Sequence, residues 1–372
     1  MAEYMRSSRP AFRGTAHEIV SELLAYAADS GASDIHVEPM DRTVRIRLRR
    51  DGVLVSIGEL PAERLDAVTA RIKILASLDI ANKRLPQDGR FVWQDGRRPI
   101  DMRVSTMPTI RGEKTVIRLL DAGQVTLNLD CLGLGGDVAA LLRRLTKRSS
   151  GLFLYSGATG SGKTTTLYAA LQELHRPEVS IATLEDPVEY KLEGVCQSQI
   201  HVKCGLEFHN GLRALLRQDP DILVIGEIRD VETARIAIRA ALTGHLVFST
   251  LHAASAAEAP IRLIDMGIAP YLVSDALIGI TSQRLARRLC SRCRRQEQPG
   301  SPSAFAHQGC GHCFHSGYDG RFCLCEVLPV GEHVKALIRQ SGSASAIAGG
   351  RSLGWSYIYE IPGTAGLSRG LD

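Results

Sequence analysis

The chain has 372 residues, room for two domains with apolar cores, and its 44% hydrophobic content is that of an ordinary soluble protein rather than a disordered one. A formal charge of +5, from 45 Lys+Arg against 40 Asp+Glu, is too slight to indicate a nucleic-acid partner by itself. The opening MAEYMRSSRPAFRG lacks an apolar export segment, and no run of about 18 apolar residues is present to span a membrane. The expected setting is therefore cytoplasmic, where nine cysteines are expected to be thiols or metal ligands rather than disulfides.

From residue 15 to about 122 the pattern predicts a small α+β domain. EIVSELLAYAADSGA reads as a helix with Ile19, Leu23, Tyr26 and Ala27 on one face. Two alternating runs follow, VRIRLRRDGVLV and RFVWQDGRRPIDMRVS; in the first, Val44, Ile46 and Leu48 alternate with Arg45, Arg47 and Arg49. QVTLNLDCLGLGG supplies a glycine-containing linker over 123–135.

A second domain is expected over 136–345. Leu152 to Tyr155 reads as a buried strand, and behind it Gly157, Gly162, Lys163 and Thr164 stand at the spacing G-x-x-x-x-G-K-[ST]. The loop Gly157, Ala158, Thr159, Gly160, Ser161, Gly162, Lys163, Thr164 and Thr165 is thus a phosphate cradle, with backbone N–H groups and a helix N-terminus turned to the same anion. Lys163 would reach the β- and γ-phosphates of a nucleoside triphosphate, and the Thr164 hydroxyl would hold Mg²⁺.

The apolar runs LFLY, SIATL, DILVIG and HLVFSTL alternate with helical stretches, the signature of a parallel sheet with crossover helices. Glu185, Glu227 and His252 follow three of these runs and are expected to converge with Lys163, because ligands in open α/β sheets sit at the carboxyl ends of strands. Glu185 reads either as the group that accepts a proton from, or orients, the attacking water, or as a helix cap. Glu227 occupies the place of a Mg²⁺-holding carboxylate. An isolated histidine reads first as a hydrogen-bonded core residue; proximity to the nucleotide favours function for His252 and, less directly, for His245.

These blocks resemble the secretion and pilus-assembly ATPases, the motors of type II secretion, type IV pilus extension and related competence systems. The resemblance runs from Thr15 to Leu328 and rests on ASDIHVEP, RLPQDGR, DMRVSTMPT, the phosphate loop, the acidic box at Thr183 to Tyr190, LRQDPDILVIGEIRDVETA and TGHLVFSTLH. It implies a RecA-like P-loop NTPase motor domain behind a smaller PAS-like α+β domain, and a head-to-tail ring of about six subunits. It also implies that Arg103, Arg118, Arg213 and Arg217 serve the nucleotide, an arginine supplied across a subunit boundary making turnover depend on assembly; alone, each reads as an ordinary surface ion pair.

Cys290-x-x-Cys293 and Cys310-x-x-Cys313 can place four thiolates around a structural Zn²⁺, a zinc knuckle over 290–313 within the motor domain. A redox pair is the alternative, but it needs no second C-x-x-C. Assembly ATPases of the family often carry such a knuckle. His312, His315, Cys323, Cys325, Cys131, Cys196 and Cys204 are taken as structural.

Arg284, Arg287, Arg288, Arg292, Arg294 and Arg295 cluster beside the first cysteine pair and raise the rival reading of a nucleic-acid translocase. The stretch has no aromatic residue for base stacking, so docking on an acidic segment of a membrane partner is preferred. The expectation is a hexameric ATPase at the inner membrane that uses ATP and Mg²⁺ to drive pilus or pseudopilus assembly through a platform protein. A DNA-uptake motor and an inactive ring component are the alternatives.

Departures from the family are Ala253 and Ala254 where Thr-Asn is usual, and too few residues ahead of ASDIHVEP for the additional platform-docking domain of larger members. A Gly- and Ser-rich tail over 346–372 is expected to be divergent or partly disordered.

Overall fold

A computed structural model describes residues 10–94, 99–120, 127–296 and 305–349. The chain divides into two compact units, Met1–Val125 with Arg287–Arg321, and Thr126–Ala286 with Phe322–Asp372.

In the first unit, α1 (Ala16–Asp29) starts at a capping box in which Glu18 accepts from the Thr15 N–H at 2.7 Å and Thr15 Oγ1 accepts from the Glu18 N–H. Strands β1 (Asp34–Pro39), β2 (Thr43–Arg50) and β3 (Val53–Pro61), helix α2 (Leu65–Leu75), and strands β4 (Gln87–Gln94), β5 (Pro99–Thr109) and β6 (Gly112–Leu120) follow. They form an antiparallel sheet in the order β3-β2-β1-β6-β5-β4.

The period-two pattern sends Val44, Ile46 and Leu48 into a core with Ile35, Val37, Met102, Ile117 and the helical Ile19, Leu23, Val68 and Ile72. On the opposite face Arg45, Arg47 and Lys114 close over Glu38 at 3.2, 2.7 and 3.1 Å, leaving its side chain 5% exposed. Burial works against the charge, but hydrogen bonds from Arg47 and Lys114 outweigh it and hold Glu38 at about 2. In the core, Lys73 Nζ pairs with Glu113 Oε1 at 2.6 Å and donates to the Asn82 carbonyl at 2.8 Å.

The second unit contains α3 (Gly136–Thr146), β7 (Gly151–Gly157), α4 (Lys163–Leu174), β8 (Ile181–Glu185), β9 (Cys196–Gln199), α5 (Phe208–Leu215), β10 (Ile222–Ile225), α6 (Val231–Leu242), β11 (Leu246–Leu251), α7 (Glu258–Asp265), α8 (Pro270–Ala276) and β12 (Leu277–Leu289). The chain then passes through a two-stranded pair of the first unit, β13 (Arg295–Gln296) and β14 (Phe305–Ala306), and returns along β15 (Tyr318–Pro329) to α9 (Glu332–Arg339) and α10 (Ala344–Gly349).

The sheet runs β15-β12-β7-β11-β10-β8-β9, parallel at every pairing from β12 to β9. β7, β8, β10 and β11 are buried along their whole lengths, as near-continuous apolar strands covered on both faces must be. Leu152 and Leu154 face one core, with Ala237, Val247 and Leu263; Phe153 and Tyr155 face the other, with Leu142, Leu167 and Tyr168.

The four expected strands are present, and β9, β12 and β15 extend the sheet beyond them. The cysteine-bearing segment, expected within the motor domain, groups instead with the first unit. Arg50 of β2 fastens it, donating to the Cys313 carbonyl at 2.7 Å and pairing with Asp319 at 3.3 Å. The linker's residues 123–126 and most of the 346–372 tail lie outside the described residues.

The Lys73–Glu113 pair yields a stability test, since their side chains are only 1% and 7% exposed. Glu113→Gln leaves a buried ammonium without its counter-charge and is expected to cost about 3–5 kcal/mol in urea unfolding. A loss within a few tenths of a kcal/mol would show the pair to be solvated.

Candidate nucleotide site and metal centre

β7 ends at Gly157 with φ +137°, and the loop then turns through Gly160 and Gly162 at +73° and +91°, conformations that glycine adopts without strain. A Cβ on Gly157 would lie 2.5 Å from the Gln283 carbonyl oxygen and 2.7 Å from Ser161 Oγ, so only glycine fits where β7 passes β12. Ala158, Thr159 and Gly160 are exposed, Gly162, Thr164 and Thr165 half-buried, and Ser161 buried with its hydroxyl unpartnered among the described residues. Lys163 Nζ donates to the carbonyls of Gly157 and Ala158, each at 2.8 Å. Burial lowers its pKa, an effect opposed by the charge of Glu227.

The parallel register brings Glu227 to this loop. Its side chain is 15% exposed; Oε2 lies 3.9 Å from His252 Nε2, and Oε1 is ion-paired with Arg229. Pairing with Glu227 raises the pKa of Arg229, to which Asp186 also contributes. Thr164 on the first turn of α4 and the Glu227 carboxylate at the end of β10 are hard oxygen donors suited to Mg²⁺. Sequence reasoning overlooked Arg229, although GEIRD places it two residues beyond the carboxylate.

Glu185, read as a catalytic carboxylate or a helix cap, is a buried strand-end residue. It is 3% exposed, and its oxygens accept from Tyr168 Oη, from Thr183 Oγ1 at 2.5 Å and from Gln197 Nε2 at 3.2 Å. Burial, then the bond to Glu185, drives the Tyr168 pKa upward. In this conformation Glu185 ties α4 to β8 and β9 rather than facing solvent. His245 also stands apart: it precedes β11 at the amino edge of the sheet, with Nδ1 3.1 Å from the Ala240 carbonyl, whereas His252 follows the carboxyl end.

Arg103 and Arg118 are partners in register on β5 and β6 of the first unit, so their side chains share one sheet face. Arg118 Nε donates to Asp34 Oδ1 at 3.0 Å. In the second unit, exposed Arg213 pairs with Glu232 at 2.6 Å and Arg217 donates to the Arg213 carbonyl at 2.8 Å, the ordinary ion-pair and capping roles.

The four cysteines meet. Cys290 and Cys310 sulfurs are 3.9 Å apart, Cys293 and Cys313 3.7 Å, Cys310 and Cys313 3.7 Å, and all four lie within 4.8 Å of one another. A tetrahedron with metal–sulfur bonds of about 2.3 Å has edges of about 3.8 Å, so the set fits zinc. Burial pushes the Cys313 thiol up, but N–H donors of Cys310 and Gly317 at 3.1 and 3.2 Å bring it down to about 7. His312 turns to Asp319 at 3.0 Å. The neighbouring arginines find aromatic faces brought in from β14 and β15: Arg287 lies 3.7 Å from the Tyr318 ring centre and Arg294 4.9 Å from that of Phe305.

A parallel sheet with a glycine-shaped phosphate loop on one strand, and a carboxylate beside its lysine on another, defines a phosphate-loop nucleoside triphosphatase. Residues 13–357 match the family of type II/IV secretion system proteins. Type II secretion system protein E of Pectobacterium carotovorum subsp. carotovorum is 47% identical over 341 residues, 89% of this chain and 68% of its own. Type II secretion system ATPase E of Vibrio cholerae serotype O1 is 44% identical over 344 residues, 89% and 68% of the two chains. The structure of the pilus retraction motor PilT with bound ADP superposes with a TM-score of 0.60 at 26% identity, covering 89% of this chain and 88% of that one. The Legionella pneumophila ATPase DotB shares the fold, with a TM-score of 0.68 at 21% identity over 93% and 89%. The chain belongs to the type II/IV secretion system protein family and is a secretion or pilus ATPase.

The close approach at Gly157 gives a direct test. Gly157→Ala combines a left-handed φ with a contact on backbone and is expected to cost about 1–3 kcal/mol and weaken nucleotide binding at least tenfold. Unchanged affinity by equilibrium dialysis would show that the loop accommodates a methyl group.

Proposed function

We propose that this chain hydrolyses ATP in a hexameric ring at the cytoplasmic face of the inner membrane and powers assembly of a type II secretion pseudopilus or type IV pilus through a membrane platform protein. In this reading the first unit is PAS-like and the second RecA-like. Its main support is the meeting of Lys163, Glu227 and His252 at one sheet edge in a member of the secretion family. Among the described residues no helix is long and apolar enough to cross a membrane, consistent with attachment through a partner.

The phosphate loop binds the nucleotide, Lys163 turning from the loop carbonyls to the β- and γ-phosphates. Thr164 and Glu227 hold Mg²⁺, which when bound neutralises charge between those phosphates. His252, 52% exposed beside Glu227, senses the γ-phosphate. Glu185 acts from the neighbouring strand, and Arg103 and Arg118 supply positive charge for the transition state. Of the arginines near the cysteine pair, Arg287 and Arg294 are already stacked on Tyr318 and Phe305, which favours protein docking over nucleic-acid stacking. Cys290, Cys293, Cys310 and Cys313 hold a structural Zn²⁺.

Steady-state ATP turnover tests the motor reading. Lys163→Ala is expected to abolish nucleotide-dependent activity, and Glu185→Gln and Arg118→Ala to retain ATP binding while losing at least tenfold in kcat. If Arg118 works across a boundary, mixing Arg118→Ala with Lys163→Ala protein restores activity. Stimulation by DNA or RNA instead of by lipid and platform protein would overturn the secretion reading.

Zinc is tested independently. Protein prepared without chelators should carry about one Zn²⁺ per chain, and Ser at any of the four cysteines should lower both metal content and thermal stability. Metal analysis finding none refutes the assignment.

A further inference from the structure

The principal cation and anion of the nucleotide site are both satisfied from within the second unit. Lys163 Nζ is held by the Gly157 and Ala158 carbonyls, each at 2.8 Å. Glu227 Oε1 is held by Arg229. The two partners differ in freedom: the Glu227 side chain is 15% exposed and fixed at a strand end, whereas that of Arg229 is 65% exposed on the connection into α6.

We propose that Arg229 is the resting partner of Glu227, a cation that occupies the carboxylate until the Mg²⁺ accompanying the nucleotide displaces it, and that it thereby sets the magnesium requirement for nucleotide binding. The inference rests on the reading of Glu227 as a Mg²⁺ ligand. A guanidinium and a hard divalent cation compete for one carboxylate, and whichever is bound disfavours the other by charge.

The surroundings permit the exchange. Arg229 also feels the charge of Asp186, at the end of the adjacent β8, so on leaving Glu227 it keeps an acidic neighbour. Its guanidinium is mostly in water already, so little buried surface is lost by the movement. In the resting state the pairing offsets the charge of a half-buried carboxylate. A pair whose cation is mostly in water lowers the affinity of a competing cation by a modest factor, about two- to fivefold.

Equilibrium binding of a ribose-labelled fluorescent ATP analogue, titrated with MgCl₂, tests this on the full chain without reliance on turnover. Arg229→Gln should reach half-saturation at about two- to fivefold lower free Mg²⁺ than the unaltered chain. Arg229→Lys, which keeps the cation, should stay close to the unaltered chain. Glu227→Gln should need more Mg²⁺. An unchanged or higher requirement confined to Arg229→Gln overturns the proposal while leaving Glu227 as a ligand. An unchanged requirement in Glu227→Gln overturns the assignment of Glu227 and the proposal with it.

Discussion

The parallel register of β8, β10, β11 and β7 is the constraint on which the site depends. Leu184 stands opposite Ile225, Ile225 opposite Ser249, and Ser249 opposite Leu154. Each strand therefore delivers its next residues to the same edge, although Gly157 and His252 are far apart in sequence. Hydrogen bonds continue past the regular ladder: Ser249 Oγ donates to the Ile225 carbonyl at 2.8 Å, Thr250 Oγ1 to that of Gly226 at 2.7 Å, and the Gly226 N–H to that of Leu184 at 2.8 Å. Buried hydroxyls are what allow the backbone at the functional edge to leave sheet geometry without orphaned carbonyls.

That edge is crowded with charge, and Lys163, Glu185 and Glu227 each have a protein partner. Glu185 could not remain at 3% exposure without its donors, because an ionised carboxylate loses several kcal/mol of hydration on burial. Tyr168, Thr183 and Gln197 replace that hydration, and Tyr168 belongs to the helix that the phosphate loop begins. A shift of α4 on nucleotide binding would thus be felt at Glu185 through a hydrogen bond rather than through the backbone. Arg229 plays the corresponding part for Glu227 from the solvent side.

The elements read directly from the sequence were those whose pattern is local. The apolar face of α1, the alternation on β2 and the apolar runs of the four strands each follow from a few adjacent residues. β12 and β15 were not read because Arg284, Arg287 and Arg288 in one, and Asp319 and Arg321 in the other, interrupt apolar periodicity where the strands leave the core. β9 is the polar edge strand CQSQ and carries no hydrophobic signal. His245 could have been set aside beforehand, since a residue preceding a parallel strand lies at the edge opposite the ligand. The burial of Glu185 was not legible, because its donors Tyr168 and Gln197 come from other elements.

The placement of the cysteine centre was illegible for a stronger reason: Arg50 and Cys313 are 263 positions apart. Arg50 also stacks over Phe314 at 4.7 Å, and Phe314 meets Tyr26 of α1 edge-on at 5.7 Å. Phe314 and His315 both adopt left-handed backbone, φ +51° and +62°, which is unfavourable for a side chain as bulky as that of Phe314. Something must over-determine that turn, and the thiolate cluster and Arg50 act on the same residue: Cys313 contributes its sulfur to one and its carbonyl to the other. A metal bound by the four sulfurs would fix the Cys313 carbonyl in place as acceptor for Arg50, and Arg50 would hold the turn open to the metal. A metal held by the four sulfurs would therefore be coupled to the attachment of this segment through a single residue, Cys313.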